Sequence, residues 1–231
     1  MSILTNVGPQ PSAGPALARP CPICGRTTPA TAPVCFCCRT VAGQLGLALV
    51  PLVALCEYRV DDRTHRRLRA YKDAPVAEVR NRCRSGLVTE LAARCADPVD
   101  GPTARLGAWA VVTTVPSSRR PGAPPAEGLV DGVPALSRCH LRLLVRGQGT
   151  GGHLRARRDR FELAPGVDRA GLADLPVLVF DDTSTTGAAA QSAAAALRLA
   201  GAHVVGTLVM GRALASLSRS EGAGRSPPSW W

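Results

Sequence analysis

Lysine is nearly absent from this 231-residue chain: of 28 basic residues, Lys72 is the one lysine. Aromatics are scarce as well, at 3%, so the core must be aliphatic, built from Ala, Leu and Val. That scarcity also counts against a single-strand nucleic-acid platform, which needs rings for bases to stack on. The longest apolar run, residues 45–56, is too short to span a bilayer and is interrupted by Pro51. The opening MSILTNVGPQPSAGP has neither the basic nor the apolar stretch of a secretory signal, so a cytoplasmic protein without a membrane partner is expected. His65, His140, His153 and His203 show no metal-ligand spacing, and there is no internal repeat.

What is present is positive charge, net +11, which favours phosphate-bearing partners from a nucleotide sugar up to nucleic acid. Heavy use of Arg, Ala, Gly and Pro points to a GC-rich genome, so part of that charge is codon usage. Lys72 hints at a need that arginine cannot meet, but chance is the simpler explanation, and no role is assigned to it.

Nine cysteines are an odd number, and five fall between Cys21 and Cys38. This is metal ligation in a reducing compartment rather than a disulfide framework. Cys21, Cys24, Cys35 and Cys38 form C-x2-C-x10-C-x2-C, two knuckles that complete a tetrahedral zinc site. Four thiolates leave no open position, so the zinc is expected to be structural. Gly25 suits the tight turn after the first knuckle. Cys37 is a spare that could replace Cys35 or Cys38. Cys56, Cys83, Cys95 and Cys139 read as core residues.

The chain divides into a disordered N-terminus (1–19), a zinc-ribbon-like module (20–42), an α/β domain (50–212) and a flexible tail (213–231). Strands are expected at 52–58, 108–115, 141–145, 177–180 and 203–210, and helices at 62–72, 76–96, 129–139 and 188–200. Gly201 sits at the C′ position of the last helix. Residues 146–160, RGQGTGGHLRARRDR, read as a mobile loop. Strand–helix–strand succession implies a parallel sheet with right-handed crossovers.

Residues 177–187, VLVFDDTSTTG, carry the most chemistry. An apolar strand ends in Asp181 and Asp182, and Thr183, Ser184, Thr185, Thr186 and Gly187 lead into an Ala-rich helix. Ligands of open α/β sheets bind at the carboxyl ends of strands. A hydroxyl- and glycine-containing turn at a helix N-terminus offers N–H groups and a favourable dipole to a phosphate. Two carboxylates beside it can accept hydrogen bonds from vicinal sugar hydroxyls. The alternative is a plain strand–turn–helix capped by Asp182 or Ser184.

This segment resembles the loop that binds phosphoribosyl pyrophosphate (PRPP) in type I phosphoribosyltransferases. Asp181, Asp182, Thr185, Thr186 and Gly187 fit that pattern; Thr183 and Ser184 are polar where the family has aliphatics. Purine-salvage members carry an acid where Thr185 stands, so simple hypoxanthine or guanine salvage is disfavoured. With the zinc module in front, residues 20–212 look like the ComF/GntX family, amidophosphoribosyltransferase-like bacterial proteins, some tied to DNA uptake. The stretch from Leu68 to Asp73 is similar to that family's early Leu/Lys segment, while its RGFNQ-type stretch is absent.

The resemblance implies a type I phosphoribosyltransferase-like sheet, PRPP with Mg2+ as ligand, and transfer to an unknown acceptor. It assigns Asp181 and Asp182 to the ribose hydroxyls, residues 183–187 to the 5′-phosphate, and Pro116, Ser117, Ser118 and Arg119 to the pyrophosphate. Arg155, Arg157 and Arg158 would belong to a lid. A non-catalytic PRPP sensor and a competence-related nucleic-acid protein are the alternatives, and a homodimer is allowed.

Overall fold

The computed structural model describes residues 18–117, 123–150, 152 and 154–214. Along the chain, β1 (Ala18–Pro20) and β2 (Thr27–Pro29) make an antiparallel hairpin, followed by α1 (Phe36–Leu45). Next come β3 (Leu52–Tyr58), α2 (Arg63–Asp73), α3 (Ala77–Ala96), the short α4 (Pro102–Leu106) and β4 (Val111–Thr114). Two single-turn helices, α5 (Glu127–Val130) and α6 (Pro134–Ser137), precede the antiparallel pair β5 (Leu144–Arg146) and β6 (Phe161–Leu163). The chain then runs through β7 (Pro176–Ser184), α7 (Ala188–Leu199) and β8 (His203–Ala213).

The expected mixed α/β architecture is present. Strands β3, β8, β7 and β4, in that spatial order, form one wholly parallel sheet. Because side chains alternate along a strand, β7 serves two layers at once. Leu178 and Phe180 pack with Leu68 of α2, Leu87 and Leu91 of α3 and Leu129 of α5. Val177 and Val179 pack with Ala193, Ala194 and Leu197 of α7. Leu178 and Phe180 are 0% exposed, so each adds about 1.5–3 kcal/mol of hydrophobic stabilisation. Small alanines on α7 let that helix lie close to the sheet, which is how a chain poor in aromatics fills its core.

Several boundaries differ from expectation for local reasons. The helix expected over residues 129–139 is broken into α5 and α6. A Cβ on Gly132 would lie 2.6 Å from Val88 Cγ2, and Pro134 opens α6 with no N–H to continue a ladder. Strand β7 continues through both aspartates to Ser184, because its neighbour β8 extends to Ala213 and pairs with it as far as Arg212. The strand expected at 141–145 is shifted to Leu144–Arg146.

The Cys-rich segment is a hairpin followed by a helix: the first knuckle lies between β1 and β2, and the second opens α1, with Cys35 as its N-cap. Residues 18–20 belong to this hairpin; residues 1–17, and the tail from 215 on, lie outside the described residues. Among the described residues, no helix is long and apolar enough to cross a membrane.

Candidate functional site

The carboxyl edge of the sheet brings the chemistry-bearing residues together. Val115, just past β4, donates its N–H to Phe180 O at 3.0 Å, so the loop after β4 starts beside the two aspartates. Alternation along β7 then sends those aspartates in opposite directions.

Asp182 continues the face of Leu178 and Phe180 and meets the end of α2. Its carboxylate accepts hydrogen bonds from Tyr71 Oη, from Lys72 Nζ at 2.6 Å and from Thr183 Oγ1 at 3.0 Å. It is buried, and Lys72 also reaches Thr183 Oγ1 at 3.4 Å. Burial above all, and then the negative Asp182, hold the Tyr71 phenol far above its ordinary range, so it stays a donor. Helix α2 delivers both groups because Asp62 caps it, accepting the His65 N–H at 2.7 Å, and because Leu68 anchors it in the core.

Asp181 follows the face of Val177 and Val179. Its Oδ1 accepts the Asp182 N–H at 2.9 Å. Burial first, then the neighbouring Asp182 carboxylate, raise it from 3.8 to about 7, opposed by Lys72 and Arg160. Arg160 is itself buried, its guanidinium 5.3 Å from the Phe161 ring centroid and facing the carbonyls of Gly152 and Arg155.

A raised carboxyl pKa favours the fold most where the group is protonated. Its contribution is complete below 3.8 and is lost as pH climbs through about 7. Asp181→Asn is therefore expected to flatten the fall in stability between pH 4 and 7. It should leave the variant at least ~1 kcal/mol more stable than wild type at pH 8. Urea unfolding across that range checks this; parallel wild-type and variant curves would refute it.

The turn after β7 is shaped for open amides. Gly187 caps α7 with φ +84°, a conformation that favours glycine, and a Cβ there would sit 3.3 Å from Leu52 Cδ1. Thr186 Oγ1 accepts the Ala188 N–H at 3.3 Å, and the first hydrogen bond of the helical ladder runs from Gln191 N–H to Gly187 O at 2.9 Å. The remaining first-turn N–H groups carry the positive end of the helix dipole. Buried Gln191 fixes this helix against the start of β3, donating to Val50 O at 2.8 Å and accepting from Val50 N at 3.1 Å. Neither Asp182 nor Ser184 caps the helix.

No protein-family model matches this chain, and no curated protein does. The site therefore rests on its own residues.

Of the residues assigned to a pyrophosphate loop, Pro116 and Ser117 lie past β4, and Ser117 O accepts from Arg146 Nε at 2.5 Å. Ser118 and Arg119 lie outside the described residues. Two of the three arginines assigned to a lid have partners for their side chains, and the third, Arg155, contributes a main-chain bridge. Arg157 pairs with Asp159 through two hydrogen bonds, at 2.8 and 2.7 Å. Arg158 donates to the carbonyls of Leu45 and Gly46 at the end of α1. Arg155 forms an isolated bridge with Gly152. The same segment is tied to α1 and α7 through Ala156 N–H to Gln44 Oε1 (2.8 Å) and Arg157 N–H to Ser192 Oγ (3.0 Å).

The cysteine cluster is assembled as its spacing implies. The Sγ atoms of Cys21, Cys24, Cys35 and Cys38 lie within 4.8 Å of one another, all buried. Cys24 and Cys35 Sγ are 3.6 Å apart. A tetrahedron with Zn–S bonds of about 2.3 Å has edges of about 3.8 Å, so the donor set fits zinc. The neighbouring Cys38 holds the Cys24 thiol down at about 5, whereas burial pushes Cys35 up to about 11. Cys37 stands outside the four. Gly25 has φ +73°, as a knuckle turn requires.

Sequence reasoning missed four members of this region. Lys72 carried a signal, its uniqueness, that was attributed to chance; the structure gives it Asp182. A point-charge ammonium fits between a carboxylate and a hydroxyl where a planar guanidinium fork does not. Tyr71 lay in the Leu68–Asp73 stretch without a role of its own, and Arg160 and Arg26, whose Nη2 donates to Thr185 O, carried no signal, since nothing local says which distant side chains a strand end will meet.

Proposed function

We propose that this protein binds a phosphoribosyl compound, PRPP or a related ribose phosphate, at the carboxyl edge of its sheet, and transfers the phosphoribosyl group to an acceptor. This is the activity implied by the likeness of residues 177–187 to type I phosphoribosyltransferases. One observation carries it: adjacent carboxylates at the end of a central parallel strand stand a few residues before the open N-terminus of a twelve-residue helix.

In this reading, the first-turn amides of α7 and the hydroxyls of residues 183–186 hold the 5′-phosphate. Asp181 and Asp182 hold the ribose hydroxyls. The loop after β4, next to Asp181, receives the pyrophosphate, and Mg2+ supplies charge neutralisation there. Lys72 sets its ammonium 2.6 Å from the buried Asp182 carboxylate. Catalysis comes from positioning and from carboxylates facing the positive charge that develops on the ribose. An ionised Asp181 accepts from a diol better than a protonated one, so affinity should rise as pH climbs through about 7 and level off above it.

Calorimetry with ribose 5-phosphate and with PRPP–Mg2+ tests the reading. Wild type is expected to bind both, and Asp182→Asn to bind at least ~10-fold more weakly, the scale of one lost charge-assisted hydrogen bond. Absence of binding by folded wild type would overturn it. Binding without pyrophosphate release across a panel of bases and ammonia would keep the site and remove the transfer.

A further inference from the structure

Arg26 links the cysteine cluster to the turn after β7. Its main chain is part of the first knuckle: its C=O accepts the Cys21 N–H at 2.7 Å, and its N–H bonds to Cys24. Its side chain leaves the knuckle and donates through Nη2 to two carbonyls. One is Ala213 O at 2.7 Å, the end of β8. The other is Thr185 O, the middle of the 183–187 turn. No other described side chain is seen bonding to that carbonyl.

A second arginine lies under the same knuckle. Arg212 of β8 stands opposite Ser184 of β7 in the sheet register. Its side chain is 8% exposed and pairs with Glu57 through Nη2, while Nε and Nη1 are buried without a partner. Both Nη atoms lie 3.9 Å from the position a Cβ would take on Gly25. Four thiolates around Zn2+ carry a net charge of −2. Arg26 and Arg212 bring positive charge beside the first knuckle, partly offset by Glu57, and the unpartnered Nη1 of Arg212 is one of the two atoms that lie 3.9 Å from the Gly25 Cβ position.

We propose that Arg26 is a positioning residue for the turn, and that the state of the four-cysteine site sets, through Arg26, how well the turn is formed for its ligand. The importance of this link for binding rests on the phosphoribosyl reading; the mechanical link does not. With the ion in place the knuckle is rigid, and Arg26 holds Thr185 O in the orientation that leaves the α7 amides facing outward. With the ion removed the knuckle loosens, Arg26 loses its fixed origin, and the turn relaxes. By reciprocity, a ligand that orders the turn must tighten metal retention by the same factor.

Hydrogen exchange of peptides covering residues 183–190, measured on the full chain, tests the link. In metal-loaded wild type the hydrogen-bonded amides of that stretch, those of the end of β7 and of Ala188, should exchange more slowly than after chelation, by roughly tenfold, within the usual range of coupling between sites. Metal-loaded Arg26→Gln should already exchange at the faster rate while holding one zinc per chain and keeping slow exchange in α3 and β4. Wild-type exchange in loaded Arg26→Gln would overturn the proposal even if chelation unfolds more than the turn.

Ribose 5-phosphate provides a separate arm. It should bind loaded Arg26→Gln roughly tenfold more weakly than wild type, and should raise the zinc affinity of wild type but not of the variant. If the turn responds to Arg26→Gln and wild type binds no ribose 5-phosphate, the positioning role stands and the phosphoribosyl reading falls.

Discussion

Stripping the ion from Cys21, Cys24, Cys35 and Cys38 is expected to lower the thermal midpoint by roughly 8–16 °C. Zinc at 1,000 times its dissociation constant adds about 4 kcal/mol. For a domain of this size each kcal/mol corresponds to about 2–4 °C. The cost follows from where the module sits. The four cysteines share a buried cluster with Leu52 of β3 and Val209 of β8, so the module covers part of one face of the central sheet. Helix α1, which starts at the second knuckle, packs Val41 and Leu45 against Ala188 and Ala195 of α7. Losing the ion therefore uncovers sheet and helix together. Cys24→Ser should reproduce the chelated state, and Cys37→Ser should leave both zinc content and midpoint as in wild type. Calorimetric scans with and without chelator, alongside metal analysis, check this; an unchanged midpoint after complete zinc removal would refute it.

Lys72→Met is expected to destabilise the protein toward the lower end of the roughly 3–5 kcal/mol lost when one member of a buried ion pair is deleted. The lower end applies because the Lys72 side chain is 20% exposed, against 8% for Asp182. The methionine conserves the apolar stem but leaves Asp182 with the hydroxyls of Tyr71 and Thr183 and no adjacent ammonium. The damage should shrink when the stranded charge is also removed: Lys72→Met with Asp182→Asn is expected to lose less than the sum of the single variants, by at least ~1 kcal/mol. Lys72→Arg should rescue incompletely, since the guanidinium is broader than the space an ammonium occupies. Urea unfolding of the four-member cycle decides it, and additivity would show that the pair contributes no coupling.

Much of the frame was legible in the sequence because its signals are short-range. The knuckle spacing selected the four cysteines whose Sγ atoms the fold brings within 4.8 Å of one another, and left Cys37 as the spare. Asp62 before an arginine-rich run marked the start of α2, and Gly201 marked the end of α7, where it has φ +102°. The apolar runs at 52–58 and 177–180 became the strands that flank β8. Local patterns failed where a neighbour decided. The end of β7 was read early, at Phe180, because the pairing that extends it belongs to β8. The single helix over 129–139 failed at Pro134, which has no N–H to continue the ladder and opens α6 afresh. That Arg157 meets Asp159 and Arg158 the carbonyls of Leu45 and Gly46 was likewise beyond local pattern.

The turn after β7 shows the division most clearly. The sequence by itself determined that Asp181, Asp182, the hydroxyls of residues 183–186 and Gly187 would stand together between a strand and a helix, since backbone preference and apolar pattern are local properties. Only the tertiary structure decided that Asp182 bonds Tyr71 and Lys72 while Asp181 feels the charges of Lys72 and Arg160 without bonding either, and that Arg26 reaches Thr185 from the cysteine module. Those outcomes depend on strand alternation and on which helix covers which face, and burial turns each such contact into a charge the fold must balance.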